Sequence, residues 1–360
     1  MRSQNAGAST VATRDADHDD RPGGDAGGQA SSVVGLTIDE ESGLCFEHLE
    51  PNEAEFLYHE IWVRRAYLRH GISLRTSGAP LVVDVGANIG LFSLLVADLN
   101  PRAKIIACEP APRAFAVLER NLASVTRARC LPVAVRGPGS RRRSRGSGTH
   151  DGGATTTLHV YPDAPGESST RPRERAMQHV ATERAAAAAG RSADVAPLAR
   201  VGSADPPLGR RETVTCEAWS LGEILRRHAG GSCVDLLKAS PNHARARLRA
   251  HTRLPLIASH MLQVDCEGDE LEVLRGVTEW RRIRQVVAEV HDLYGRLASV
   301  CALLRRHGFH VAVEQQVGGD MAGYRIVVPR ALRLFHVYAT REPRRSSRSR
   351  GAGGSTSAAR

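Results

Sequence analysis

The stretch DVGANIG, Asp84 to Gly90, closes a short apolar run, PLVVDVGANIG, and sets a carboxylate at the mouth of a glycine turn. That charge opposes a phosphate in the turn and favours a cationic or neutral ligand. Dinucleotide sites carry G-x-G-x-x-G, with three glycines. Here Gly86 and Gly90 flank Ala87, Asn88 and Ile89, so the middle glycine is missing. The phosphate-cradling P-loop needs a lysine after its last glycine, and Gly90 is followed by Leu91. Neither phosphate pattern is met, which makes a nicotinamide dehydrogenase the least favoured enzyme class.

S-adenosylmethionine satisfies such a turn, because it carries a sulfonium cation and an amino acid end but no phosphate. Asp84 would order the turn and favour the cationic end. Gly86 and Gly90 would let the backbone approach closely, having no Cβ, with Ala87 and Asn88 between them. The next apolar run, KIIACEP, ends in Glu109 and Pro110. An acid at a second strand tip can bind both ribose hydroxyls.

Methyl transfer is an in-line displacement in which alignment does most of the work. A hydroxyl nucleophile is weak, so a base beside it helps. His291 and Asp265 end two predicted strands on the ligand side of an open sheet, with His291 as the base and Asp265 orienting cofactor or base. Glu267 and Gly268 lie in the turn after Asp265, and Glu270 is read as an acid favoured by a helix dipole. Tyr58 sits in an N-terminal helix that would close over the site. No His, Cys or acidic set has metal-ligand spacing along the chain, so no metal is expected. Seven single cysteines, at 45, 108, 130, 216, 233, 266 and 301, predict buried thiols in a reducing compartment.

These residues require a sheet to position them. NEAEFLYHEIWVRRAYLRHG reads as a helix stopped by Gly71. Strand LVVDV, helix IGLFSLLVADL, strand KIIACEP, helix PRAFAVLERNLASV and a third strand near RCLPVAV follow. ATTTLHVYP and ETVTCEAW read as strands, and SLGE, Ser220 to Glu223, is a capping-box signature for the next helix. CVDLLK, IRQVVAEVHD, HVAVEQQ, YRIVVP and LFHVYATR supply further strands, and RLASVCALLRRHGF a helix. The alternation predicts an α/β fold, mostly parallel with an antiparallel last strand and helices on both faces.

The chain of 360 residues has a net charge of +10, but GPGSRRRSRGSGTH and the tail from Ala331 onward carry the whole excess. Basic Ser/Gly-rich stretches are solvated as a rule, so nucleic acid is not the expected partner. Residues 1–32 read as a disordered arm, 33–341 as one domain with low-complexity insertions near 137–154, 175–210 and 239–263, and 342–360 as a disordered basic tail. No signal peptide and no membrane-spanning run is visible, which makes the cytoplasm the default expectation.

LVVDVGANIGLFSLLVA and IIACEP resemble motifs I and II of class I S-adenosylmethionine-dependent methyltransferases. With FLYHEIWVRRAYLRHGISL, VDLLK, VDCEGDELEVLRGV and VVAEVHD, the chain resembles the FkbM family of methyltransferases from about Phe46 to Arg341. YPDAPGESST is similar to a Tyr/Pro-rich segment of some members. The resemblance implies a Rossmann-like sheet and O-methylation of a small metabolite or sugar. It places Asp84, Gly86, Asn88 and Gly90 at the methionine end, Glu109 at the ribose, and Asp265, Glu267 and Gly268 toward the acceptor. An RNA substrate, suggested by the Arg-rich tails, and a catalytically inactive cofactor-binding protein are the alternatives.

In that pattern VDLLK runs directly into VDCEG. Residues 239–263 interrupt it with an Arg/His-rich stretch, which we read as foreign to the fold, as from an unspliced segment. If the segment is retained, MLQVD is expected to fill the central strand and VDLLK to be displaced.

Overall fold

The computed structural model describes residues 12–14, 35–39, 43–137, 154–160, 168, 212–230, 233–234, 236–239, 263–264, 270–292, 294–316, 319–321, 324–326 and 333–341. Most of the N-terminal arm, the low-complexity insertions, the Tyr/Pro-rich segment apart from Ser168, and the basic tail lie outside the described residues. So do Asp265, Glu267, Gly268 and Cys266.

Near the N-terminus, β1 (Ala12–Arg14), β2 (Gly35–Asp39) and β3 (Leu44–His48) form an antiparallel sheet. Ala12–Arg14 lies within the arm expected to be disordered. Its pairing with Leu36–Ile38 uses backbone groups on an open edge, which hydropathy does not register. Helix α1 (Pro51–Ile61) follows. It ends at Ile61 rather than at Gly71. Beyond it the Trp62 indole donates to the Leu91 carbonyl, and Arg65 and His70 take positive φ, so the apolar spacing that looked helical is spent on irregular backbone.

The main sheet then forms from β4 (Leu81–Val85), β5 (Lys104–Cys108) and β6 (Ala128–Leu131), with α2 (Leu91–Leu99) and α3 (Pro112–Asn121) between them. The run RCLPVAV is two strands, not one. β7 (Val133–Arg136) leaves the main sheet and pairs with β9 (Glu212–Ser220), which also pairs with β8 (Thr155–Val160). Pro132 stands at the break, where a residue without an N–H cannot continue a ladder. The capping box holds: the Ser220 hydroxyl accepts from the Glu223 amide, and Glu223 returns to the Ser220 amide, starting α4 (Leu221–His228).

The remaining elements are β10 (Leu236–Ala239), β11 (Gln263–Val264), α5 (Glu270–Arg275), β12 (Gln285–His291), α6 (Arg296–Arg306), β13 (His310–Gln315), β14 (Gly319–Met321), β15 (Tyr324–Ile326) and β16 (Leu334–Thr340). The main sheet runs β13-β16-β12-β10-β4-β5-β6, with β16 antiparallel to both neighbours. β4 is buried along its whole length, as a central strand covered on both faces must be. Val83, Val85, Val286 and Val290 face a core built with α4, α5 and α6. Val82, Ile105 and Val287 face the other, built with α1, α2 and α3. The thiols divide between these environments: Cys108 and Cys301 are buried, whereas Cys45 and Cys233 are exposed, against expectation, because they stand outside both cores.

The central slot corrects the sequence reading. Leu236–Ala239, from VDLLK, pairs with both β4 and β12, so this segment holds the central position rather than MLQVD. It follows α4 closely, and a short connection closes at small entropic cost. Gln263–Val264 pairs with β12 at Val287 and Ala288, the same two residues that face Lys238 and Ala239. One edge of β12 holds one ladder, so the two segments are alternatives for one slot. Their registers are also successive: Lys238 faces Val287, and Val264 faces Ala288. A variant with Lys238 joined to Val264 therefore keeps the register without interruption. We expect its thermal midpoint to exceed that of the full chain by at least about 2–4 °C, the shift that roughly 1 kcal/mol gives a domain of this size. A differential scanning calorimetry comparison of the two proteins tests this.

Candidate active site

The glycine turn follows β4 directly. Gly86 and Ala87 both donate their amides to the Cys108 carbonyl at 2.9 Å, which fastens the turn to the neighbouring strand. Gly86 has φ 68° and Asn88 φ 47°, a left-handed backbone that asparagine tolerates better than most residues with a side chain. Gly86 is half-buried, whereas Ala87, Asn88 and Gly90 are buried.

Asp84 is fully buried, and its Oδ2 accepts a 2.6 Å hydrogen bond from Ser93 Oγ in the first turn of α2. Its carboxylate meets no solvent, so it acts by ordering the turn and by its field. Glu109 stands at the tip of β5, 7% exposed. Its Oε2 accepts from the Asn88 amide and its Oε1 from the Ala111 amide, both at 2.9 Å. Half-buried Pro110 joins Glu109 to Ala111. Burial first, then the charges of Asp84 and Glu109, push the Cys108 thiol far above the usual thiol range.

The two glycines divide their work. A Cβ at Gly90 would stand 2.8 Å from Leu118 Cδ1, and φ there is 91°. Gly90 thus seats α2 against α3, in addition to whatever ligand approach the motif permits.

Residues that sequence spacing did not reveal complete the turn. Glu53, on α1, accepts from Asn88 Nδ2 at 2.9 Å. This fixes the side-chain amide with Oδ1 turned elsewhere, and Oδ1 is a buried acceptor with no hydrogen-bond partner among the described residues. An ammonium or hydroxyl group of a ligand would supply the hydrogen it lacks. The turn therefore fits S-adenosylmethionine in donor and acceptor chemistry, with Asn88, Glu109 and the Gly86 backbone to hold it. Ser93 had a legible signal, a hydroxyl one turn into the helix after a buried acid. Glu53 had none, since contact across 35 residues depends on how α1 packs.

His291 ends β12 and is 4% exposed. Its Nδ1 lies 3.3 Å from Glu270 Oε1, and Arg296 Nη1 lies 3.7 Å from Glu270 Oε2 while donating to the His291 carbonyl at 2.8 Å. The sequence reading takes Glu270 as an acid at a helix start, favoured by the dipole. It is wholly buried, partnered by the imidazole and the guanidinium. The pair has the form of a base and its orienting carboxylate. One strand, β10, separates the strand of His291 from β4, and the register puts Asp84 level with Val287. His291 is therefore about 13 Å further along the strands and about 10 Å across. Tyr58 is 7% exposed, with its ring stacked on Phe46 at 6.3 Å, and so it anchors α1 to β3.

A turn with no phosphate signature, tied by a neighbouring strand's carboxylate on a mostly parallel mixed α/β sheet, fits a methyltransferase, and the relatives agree. The 31-O-demethyl-FK506 methyltransferase FkbM of Streptomyces tacrolimicus is 33% identical over 287 residues, 79% of this chain and 92% of that protein. Methyltransferase sdnD of Sordaria araneosa is 32% identical over 274 residues, 76% of this chain and 88% of its own length. The chain belongs to the FkbM family of methyltransferases. No family model matches it. Among solved structures, precorrin-6y C5,15-methyltransferase of Geobacter metallireducens GS-15 is 12% identical, covering 75% of this chain and 84% of that one, with a TM-score of 0.34, too low to define a shared fold. No helix among the described residues is long and apolar enough to cross a membrane.

Because Gly90 combines a left-handed backbone with contact to Leu118, Gly90→Ala is expected to lower stability by about 2 kcal/mol. Urea unfolding followed by circular dichroism measures it.

Proposed function

We propose that the chain transfers the methyl group of S-adenosylmethionine to a hydroxyl oxygen of a small metabolite or sugar, on a Rossmann-like class I sheet. The observation that carries this reading is the Glu109 carboxylate, bonded to both flanking turns beside the buried acceptor of Asn88. A relative whose name specifies an O-demethyl acceptor supports the choice of oxygen.

When bound, the cofactor supplies an electrophilic methyl carbon on a sulfonium sulfur. Asp84 and the Gly86–Ala87 backbone shape the turn at its methionine end, and Asn88 Oδ1 accepts from its amino group. Glu109, flanked by Pro110, accepts from the ribose. Each Glu109 oxygen takes one amide hydrogen in the structure. His291 receives the proton of the acceptor hydroxyl, and Glu270 holds the imidazole in place for it. In this reading Tyr58 fixes the helix over the acceptor, and the roles that the family resemblance implies for Asp265, Glu267 and Gly268 fall outside the described residues.

The test separates binding from chemistry. Glu109→Gln should weaken cofactor binding by about 10- to 100-fold in calorimetry, the equivalent of a charge-assisted hydrogen bond at roughly 1.5–3 kcal/mol. His291→Ala should leave that affinity within about twofold and reduce methyl transfer to hydroxyl acceptors in a labelled metabolite screen. Unchanged affinity in the Asp84→Asn, Glu109→Gln double variant would overturn the cofactor assignment.

A further inference from the structure

Outside the turn and the His291 pair, one buried cluster among the described residues has metal-ligand chemistry. Glu60 comes from α1, Glu289 from β12 and His336 from β16, where Glu289 and His336 face each other across the ladder. One ligand atom from each lies within 4.8 Å of the others. Their side chains are 14%, 7% and 4% exposed.

The spacing matters more than the proximity. Glu60 Oε1 lies 3.8 Å and Glu289 Oε2 3.4 Å from His336 Nε2, both longer than an ordinary N–H···O bond. Two ligand atoms each about 2.1 Å from one ion in tetrahedral array stand about 3.4 Å apart. The Gln316 amide nitrogen lies 2.9 Å from Glu289 Oε2 and 2.8 Å from His336 Nε2. The three ligand atoms and the Gln316 amide are thus gathered around one shared centre.

We propose that Glu60, Glu289 and His336 bind one divalent transition-metal ion of borderline softness, such as Zn²⁺. Two carboxylates and an imidazole are the donors such an ion takes. A half-turn of the Gln316 amide brings its oxygen into the fourth position. Tyr67 donates to the other oxygen of Glu60 at 3.4 Å, the outer contact that holds a ligating carboxylate in place. The ion joins α1 to β12 and β16, and α1 is the helix whose Glu53 holds Asn88.

The test uses the full chain, stripped with a chelator and titrated with Co²⁺, and does not depend on the methyltransferase reading. The expected result is uptake of one Co²⁺ per chain with visible d–d absorption, displaced by Zn²⁺, and a rise in thermal midpoint with either metal. His336→Gln and Glu289→Gln should lose both signals, while the surface variant Glu272→Gln keeps them. If the stripped wild type takes up no stoichiometric Co²⁺, a proton shared between the carboxylates holds the cluster and the proposal fails. It fails equally if His336→Gln binds Co²⁺ as the wild type does. Should either cluster variant not fold, the wild-type titration alone decides.

Discussion

The Glu109 carboxylate bonds two turns at once and so fixes the distance between them. One oxygen takes the amide of Asn88, in the turn after β4, and the other takes the amide of Ala111, just before α3. Charge-assisted bonds of this kind are roughly twice as strong as neutral ones, and burial at 7% exposure protects them from solvent. Remove the carboxylate and two buried amides lose their acceptor, which costs more than the bonds contribute net. The site's geometry thus rests on a side chain that is also its best candidate for holding ribose.

Helix α1 extends that constraint across the sheet. Its first turn contributes Glu53 to the Asn88 side chain, and its last contributes Glu60 to the Glu289–His336 cluster. Seven residues separate the two acids, two turns of helix, so both project from one face and are about 10 Å apart along the axis. The same face packs Leu57 and Ile61 into the core with Phe92 and Leu95. A rigid element touching both strand tips of the central sheet lets the glycine turn and the far strands hold a common frame.

What the sequence disclosed was local. The β4 turn, the second-strand acid and the capping box each occupy a few consecutive residues, where backbone geometry and residue type are tightly linked, and each lies at the element boundary where the sequence reading puts it. The failures come from distance. Glu53, Glu270 and Glu60 gain meaning only from partners 21 to 276 positions away, and a helical acid facing a buried imidazole has the same spacing as one facing water. The end of α1 was misread because apolar residues at helical intervals also suit an irregular segment that buries Trp62 and Tyr67. Pro132 gave a clear signal to divide RCLPVAV, which the continuous apolar run concealed.

The central slot shows why register carries more than composition. An Arg/His-rich insertion looks foreign, but composition alone does not say where the chain should rejoin. Pairing does. β12 offers Val287 and Ala288 to Lys238 and Ala239, and offers the same two residues to Gln263 and Val264. An insertion of arbitrary length and place would leave its two flanks in unrelated registers, with side chains on opposite faces half the time. Here the flanks match to the residue. The segment after the insertion still addresses the position it would hold if it followed Lys238 directly, so the ladder, rather than the linking chain, specifies this part of the sheet.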